Sequence, residues 1–159
     1  VDAMALTKEN STLLLAGNFV DKNLEDVVKN SKGWCKTNFL GYVGREDIKS
    51  SLESSMAGLV LLHPTQSYLD SLPVKMFEYM CAGIPVIASD FPLWQKIVLE
   101  AECGYCIDPL DIDLIAKTID QCITHPEKCQ EMGERGRKAV LERYNWTHEE
   151  NKLFDFYES

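Results

Sequence analysis

Between residues 70 and 78 the chain gathers a carboxylate, a hydroxyl, a proline, a cation and a second carboxylate: Asp70, Ser71, Pro73, Lys75 and Glu78. Pro73 fits the first turn of a helix, where a missing N–H costs nothing, and Asp70 or Ser71 has the side-chain oxygen that caps such a turn. The free amides that follow, with the positive end of the helix dipole, make a ready site for a phosphate. Lys75 stands where a cation opposes that dipole, a mismatch that a bound phosphate offsets. Glu78, about one turn further on, has two readings that the residues leave open. It is either the solvated side of an amphipathic helix or a carboxylate that accepts hydrogen bonds from two vicinal hydroxyls, as a carboxylate does with a ribose. His63 reads as a polar residue lining the same cleft and not as a catalyst, and His125 and His148 read as surface.

Short apolar runs alternate with amphipathic stretches, the pattern of a parallel sheet covered by helices on both faces. Candidate strands are 12–16, 38–40, 58–62, 84–88 and 104–107, each stopped by glycine, aspartate or proline nearby. Helical spacing places Leu24, Val27 and Val28 on one helix, Ile48, Leu52 and Met56 on another, and Met76, Phe77 and Met80 on a third. Trp94, Ile97 and Val98, then Leu114, Ile115, Thr118 and Ile119, continue the series, the last with Asp111 or Asp113 near its N-cap. His125-Pro126 restarts a polar helix through Lys138 and Val140, and Trp146 to Phe156 reads as a closing helix. Ligands of open parallel sheets bind beyond the carboxyl ends of the strands, which directs attention to the loops at 17–21, 41–45, 63–72 and 89–93. Val1 to Leu6 reads as the last turns of a helix, so the first strand and part of the first helix are expected to lie outside these residues.

Of 159 residues, 45% are hydrophobic and 26% charged, the balance of one globular domain spanning 1–159. A net charge of −9 repels nucleic-acid backbones and anionic lipid, so neither is an expected partner of this stretch. No run approaches the roughly 20 apolar residues of a membrane span, and no signal core opens the chain; a cytoplasmic location is expected. Six cysteines lie singly except for Cys103 and Cys106, which lack the second pair a structural metal needs, so reduced, buried or half-buried thiols are expected and no metal.

The run from Pro73 to Asp90 (PVKMFEYMCAGIPVIASD) resembles the signature of the nucleotide-sugar-binding C-terminal domain of retaining GT-B glycosyltransferases, the glycosyl transferases group 1 family. Neighbouring segments resemble that family in order. Leu13 to Gly17 is similar to its first apolar strand and glycine turn here, Phe39 to Val43 to its "FLG" strand and turn, and Met56 to Pro64 to its "ADVFVLPS" strand. Cys103 to Pro109 resembles its glycine-bearing last strand, Met132 to Arg137 its "MGxxGR" helix, and Tyr144-Asn145-Trp146 its "YSW".

The resemblance implies a Rossmann-like three-layer αβα sandwich with a parallel sheet, the C-terminal half of a GT-B fold, N-terminally truncated. It implies a donor-binding domain that serves transfer of a sugar, with retention, from a nucleoside-diphosphate sugar to a hydroxyl acceptor. The family has two acids separated by seven residues, the first on the donor sugar and the second on the ribose; the matching positions hold Asp70 and Glu78. Amides around Ser71, Leu72, Pro73 and Val74, with Lys75, would hold the diphosphate. Tyr42 and Val43 match the turn that holds the base, and Gly17 and Asn18 a turn near the donor cleft. The donor is the substrate, and no cofactor or metal is expected. The acceptor, a sugar, lipid-linked or polysaccharide hydroxyl, would be bound by an N-terminal domain outside these residues, and the full-length enzyme could lie at a membrane surface. The 159-residue chain alone is expected to be inactive and, with an exposed strand edge, to self-associate. Two rivals share the architecture: a sugar-nucleotide epimerase, and a non-catalytic regulatory α/β domain, which would want acids at the first strand's end where this chain has Gly17-Asn18.

Overall fold

The structure, a computed structural model, describes residues 1–146, 150, 154, 156 and 157. A 3₁₀ turn (Asp2–Ala5) leads to β1 (Leu13–Ala16) and α1 (Lys22–Lys29); a second 3₁₀ turn (Lys32–Lys36) leads to β2 (Thr37–Gly41) and α2 (Arg45–Glu53). Then come β3 (Gly58–Val60), α3 (Gln66–Leu69), α4 (Val74–Ala82), β4 (Val86–Ser89), α5 (Pro92–Glu100), β5 (Gly104–Ile107), α6 (Ile112–Thr124) and α7 (Pro126–Glu142). Local signals set the boundaries. Asp21 caps α1 through the Asn23 amide, Asp111 caps α6 through the Leu114 amide, and Pro92 and Pro126 occupy the first turns of α5 and α7. The closing helix read from Trp146 to Phe156, His148 with it, lies largely outside the described residues.

All strand pairs are parallel, as expected of an α/β fold, but they form two ladders: β1 with β2, and β3-β4-β5. The order β2-β1 and β3-β4-β5 is that of the two halves of a doubly wound sheet, with no described strand where the halves would meet. The opening segment is a single 3₁₀ turn instead of an α-helical end. Its Ala3 and Met4 are buried, and the Asp120 carboxylate on α6 accepts the Lys8 amide at 3.0 Å and the Glu9 amide at 3.1 Å.

Burial divides the molecule. Between residues 8 and 57 only Gly33 is buried, and β1, read from its apolar run as a covered strand, is half-buried at Leu13, Leu14 and Leu15. Leu24 and Val27 on α1 remain 52% and 68% exposed. The core lies in the second ladder and its helices: Met76, Met80, Val86, Ala88, Trp94 and Val98 form one cluster, and Ile87, Ile115, Cys122 and Met132 belong to another.

Two glycines let α7 approach this core. A Cβ on Gly133 would stand 1.9 Å from the carbonyl oxygen of Gly83, and one on Gly136 would stand 3.0 Å from Cys103 Cβ. Gly83 itself ends α4 in the left-handed conformation, φ 76°, and turns the chain into β4. This contact gives the Met132 to Arg137 motif its physical content. Gly133→Ala is expected to destabilise the fold by about 1–3 kcal/mol through forced separation of two backbones, read as a lowered urea midpoint.

The thiols divide as well. Cys103, Cys122 and Cys129 are buried and Cys106 is half-buried, whereas Cys35 and Cys81, expected to be covered, are exposed. Burial pushes Cys103 up to about 11 and Cys106 and Cys122 up to about 12 from an ordinary 9.0. Native protein is expected to show fast disulfide-reagent titration at Cys35 and Cys81, the others reacting after denaturation. An unfolded chain sheds thiol protons from about pH 8.5 while the folded chain retains them, so stability contributed by these groups is expected to fall as pH rises above about 8.5. Urea midpoints across that range check the sign.

Candidate functional site

The residues singled out from the sequence fall at the carboxyl ends of β1, β2 and β3 and at the start of α4. After β1 the chain turns at Gly17, φ 131°, and after β2 it turns at Gly41, φ 65°. The Gly17 amide donates to the Gly41 carbonyl at 2.8 Å, which joins the Gly17-Asn18 turn to the Tyr42-Val43 turn. Tyr42 is 84% exposed there.

At the end of the second ladder a side chain extends the strand pairing. Ser89, wholly buried, accepts the Leu62 amide at 2.9 Å and donates to the Leu62 carbonyl at 3.1 Å. One hydroxyl thus meets both backbone groups of the residue that launches the His63 loop. His63 is exposed.

Beyond it the sequence predicts a loop, and the structure forms the one-turn α3 instead. Asp70 closes α3 and accepts from Gln66 Nε2 at 2.6 Å, and Ser71 Oγ donates to the Tyr68 carbonyl at 3.2 Å. Both side chains are therefore engaged by α3, and neither caps α4. The N-cap of α4 is Pro73, one position earlier than its expected place, with no side-chain capping bond. The first amides of α4 lack a side-chain acceptor, and its first turn has no acid.

A cavity of about 320 Å³ opens between the end of β3, from Leu59 to Leu62, and the start of α4, at Pro73, Val74 and Lys75. Lys75 is exposed and, among the described residues, in no ion pair. A second cleft, about 480 Å³, is lined by Asp70 with Gln66, Leu69, Pro92 and Leu93. Glu78 is exposed on α4, and its charge, after burial, raises the hydroxyl of neighbouring Tyr79 above the ordinary phenol range. The Tyr79 ring packs against Gly58 on β3, where a Cβ would come within 2.2 Å of it.

The structure thus brings Pro73, Val74 and Lys75 to one cavity and Asp70 to the adjoining cleft. Glu78 stays on the same helix outside both, Leu72 is exposed between them, and the Gly17 and Tyr42 turns form a separate pair. Among the described residues no group of three or more histidines, cysteines and acids is arranged to hold a metal ion. Sequence reading missed Ser89 and Trp94. Trp94 lies wholly buried on α5 and donates from Nε1 to the Ser71 carbonyl at 2.6 Å. No local pattern marks either residue, since their partners lie 27 and 23 positions away.

Ser89→Ala is expected to leave the Leu62 amide and carbonyl unpaired at a cost of about 1–3 kcal/mol, and to raise amide exchange at Leu62 and His63 more than elsewhere. Unchanged exchange at these two residues would show that the hydroxyl does not secure the strand end.

Comparison with known proteins gives the chain's family and fold relatives. The family described as glycosyl transferases group 1 matches residues 1–139. The MMP alpha-(1->4)-mannosyltransferase of Mycolicibacterium hassiacum is 21% identical over 124 residues, 77% of this chain and 27% of that protein. In fold, sucrose-phosphate synthase from Thermosynechococcus elongatus superposes with a TM-score of 0.82 at 23% identity, over 98% of this chain and 40% of that one. Anabaena Alr3699/HepE in complex with UDP gives a TM-score of 0.83 at 18% identity, over 99% of this chain and 43% of that one. The chain spans only part of the curated relatives it matches, 24% and 27% of the length of two of them and 10% of a sucrose synthase.

Proposed function

The chain belongs to the glycosyl transferases group 1 family, and we propose that it is the donor-binding domain of a glycosyltransferase that moves a sugar, with retention, from a nucleoside-diphosphate sugar to a hydroxyl acceptor. One observation carries the assignment of the donor end: the uncapped first turn of α4, with Lys75 free of ion pairs among the described residues, lines a cavity at the carboxyl end of β3. A helix that lacks both an acid and a capping side chain at its N-terminus has unsatisfied amides and a positive dipole end, and a cation there is tolerated best beside an anion.

In this reading the Val74 and Lys75 amides and the Lys75 ammonium hold the diphosphate. As the bond from the anomeric carbon to the diphosphate oxygen breaks, positive charge grows on the sugar ring and negative charge on the departing phosphate. Groups already aimed at that phosphate lower the barrier without rearranging. Asp70, in the adjoining cleft, faces the donor sugar, and Glu78 accepts from the ribose hydroxyls. The joined Gly17 and Tyr42 turns receive the base through main-chain groups, with Tyr42 free to move over it. The acceptor belongs to a preceding domain. Family membership and relatives named as transferases favour this activity over an epimerase or a regulatory domain.

Lys75→Ala is expected to weaken UDP or GDP binding by about tenfold or more, the range for a hydrogen bond to a charged group, while leaving the bare nucleoside nearly unaffected. Glu78→Gln is expected to weaken nucleoside and diphosphate alike with no change in melting temperature, because Glu78 is exposed. Calorimetric titration separates the two patterns. If neither substitution changes the affinity for either diphosphate, the donor site lies elsewhere.

A further inference from the structure

Trp94 is the largest wholly buried side chain in the molecule's described part, and its ring packs tilted against Phe91, with centroids 4.7 Å apart and planes inclined at 54°. A buried indole N–H needs an acceptor. Its acceptor here is no core group but the carbonyl of Ser71, in the segment between α3 and α4. That segment has little else to hold it. The Ser71 amide and hydroxyl both turn back to Tyr68 within α3, Leu72 is exposed, and Pro73 has no amide to donate. Among the described residues, the indole is thus the only hydrogen-bonded link between residues 71–73 and another layer of the fold.

We propose that Trp94 is a positioning residue for donor binding: its N–H, fixed in the core, sets the height of the Ser71 carbonyl and so the place of the Val74 and Lys75 amides that follow. The role rests on the reading of the α4 N-terminus as the diphosphate site. α5 supplies the rigidity, since Trp94, Ile97 and Val98 are all buried and the helix packs on β4 and β5. Only a few bonds separate Ser71 from Val74, and proline removes one rotatable angle between them. A shift of the carbonyl is therefore passed almost undiminished to the amides. Ligand-binding arrays tolerate such shifts poorly, because hydrogen bonds weaken steeply as distance and angle depart from their optimum.

The test deletes the N–H and keeps the ring. Trp94→Phe does so approximately. Benzothienylalanine at position 94, in a Trp34→Phe, Trp146→Phe background, does so with the bicyclic shape retained and answers any folding defect of the first variant. Amide exchange is measured at Ser71 and Met76, whose amides donate to the Tyr68 and Pro73 carbonyls, against Ile87 and Ala88 in β4, and UDP, GDP, uridine and guanosine are titrated by calorimetry. The expected result is faster exchange confined to Ser71 and Met76 and diphosphate binding weakened about tenfold, the worth of one well-placed hydrogen bond, with nucleoside binding unchanged. A merely structural role would alter nucleoside and diphosphate equally, or accelerate exchange in β4 as well, and either overturns the proposal. So does unaltered exchange at Ser71 and Met76. If Lys75→Ala weakens UDP or GDP binding while both position-94 variants bind them normally, the diphosphate site stands and the positioning role is overturned. If the unsubstituted chain binds neither diphosphate, the site assignment fails and the positioning role with it.

Discussion

The close approach of two backbones, α7 over the end of α4, governs how the rest of the molecule can be arranged. With hydrogen at Gly133 the helix comes within van der Waals reach of the Gly83 carbonyl; any side chain at that position would have to push it away. Gly83 then takes the left-handed turn that releases the chain into β4. The position of α4 is set at its C-terminal end by this contact and along its length by Met76 and Met80, which are wholly buried. Its N-terminal end, nine residues earlier than Gly83, is where the proposed chemistry takes place. A helix moves as a rod, so a contact at one end governs the other.

A second set of bonds completes the control of that end. Ser89 ties Leu62 to β4, and Trp94 ties Ser71 to α5. Both donors or bridges are buried, where a hydrogen bond meets no competition from water and its loss leaves a desolvated group behind. The loop between them, from His63 to Asp70, is exposed along most of its length and is held at its two ends. The opposite side of the proposed site has a different character. The turns after β1 and β2 are joined to each other by one amide to carbonyl bond, in a region where only Gly33 is buried. The groups proposed for the phosphate are therefore built on a packed core, and those proposed for the base on a lightly covered ladder. Regions with little buried apolar surface open at low free-energy cost, which suits a turn that closes over a variable ring system.

Much of this was legible in the residues. The five strands were visible because apolar runs end at glycine, aspartate or proline, and strand ends with such residues have few alternatives. The long helices were visible through their apolar spacing and through Asp111, Pro92 and Pro126 at their starts. Other features were hidden for identifiable reasons. The pairing of strands into two ladders is a property of neighbours in space. Leu13 to Leu15 read as buried because composition reports what a strand could cover, and the covering is partial. Asp70 and Ser71 looked like caps of α4 because capping signals are local, yet the same side chains satisfy α3 just as well, and α3 comes first in the chain. Of the candidate site, Pro73, Val74 and Lys75 line one cavity because they are consecutive at the start of one helix. Ser89, Trp94 and Asp120 serve partners 27, 23 and more than 100 positions away, and no periodicity encodes a partner.

The division of the strands into two ladders bears on the thermodynamics of the whole chain. Among the described residues β1 and β2 exchange no strand bonds with β3, and the links between the halves include Asp120 accepting the Lys8 and Glu9 amides, the opening 3₁₀ turn with Ala3 against α6 and the second core cluster, and α2 against α4. Cooperativity is a measure of how much one region loses when another melts, and here that loss is concentrated in a handful of contacts. The van't Hoff enthalpy of unfolding should consequently fall short of the calorimetric enthalpy, with the lightly packed half melting first. The deficit is in effect a reading of how strongly these links together couple the two halves into one folding unit.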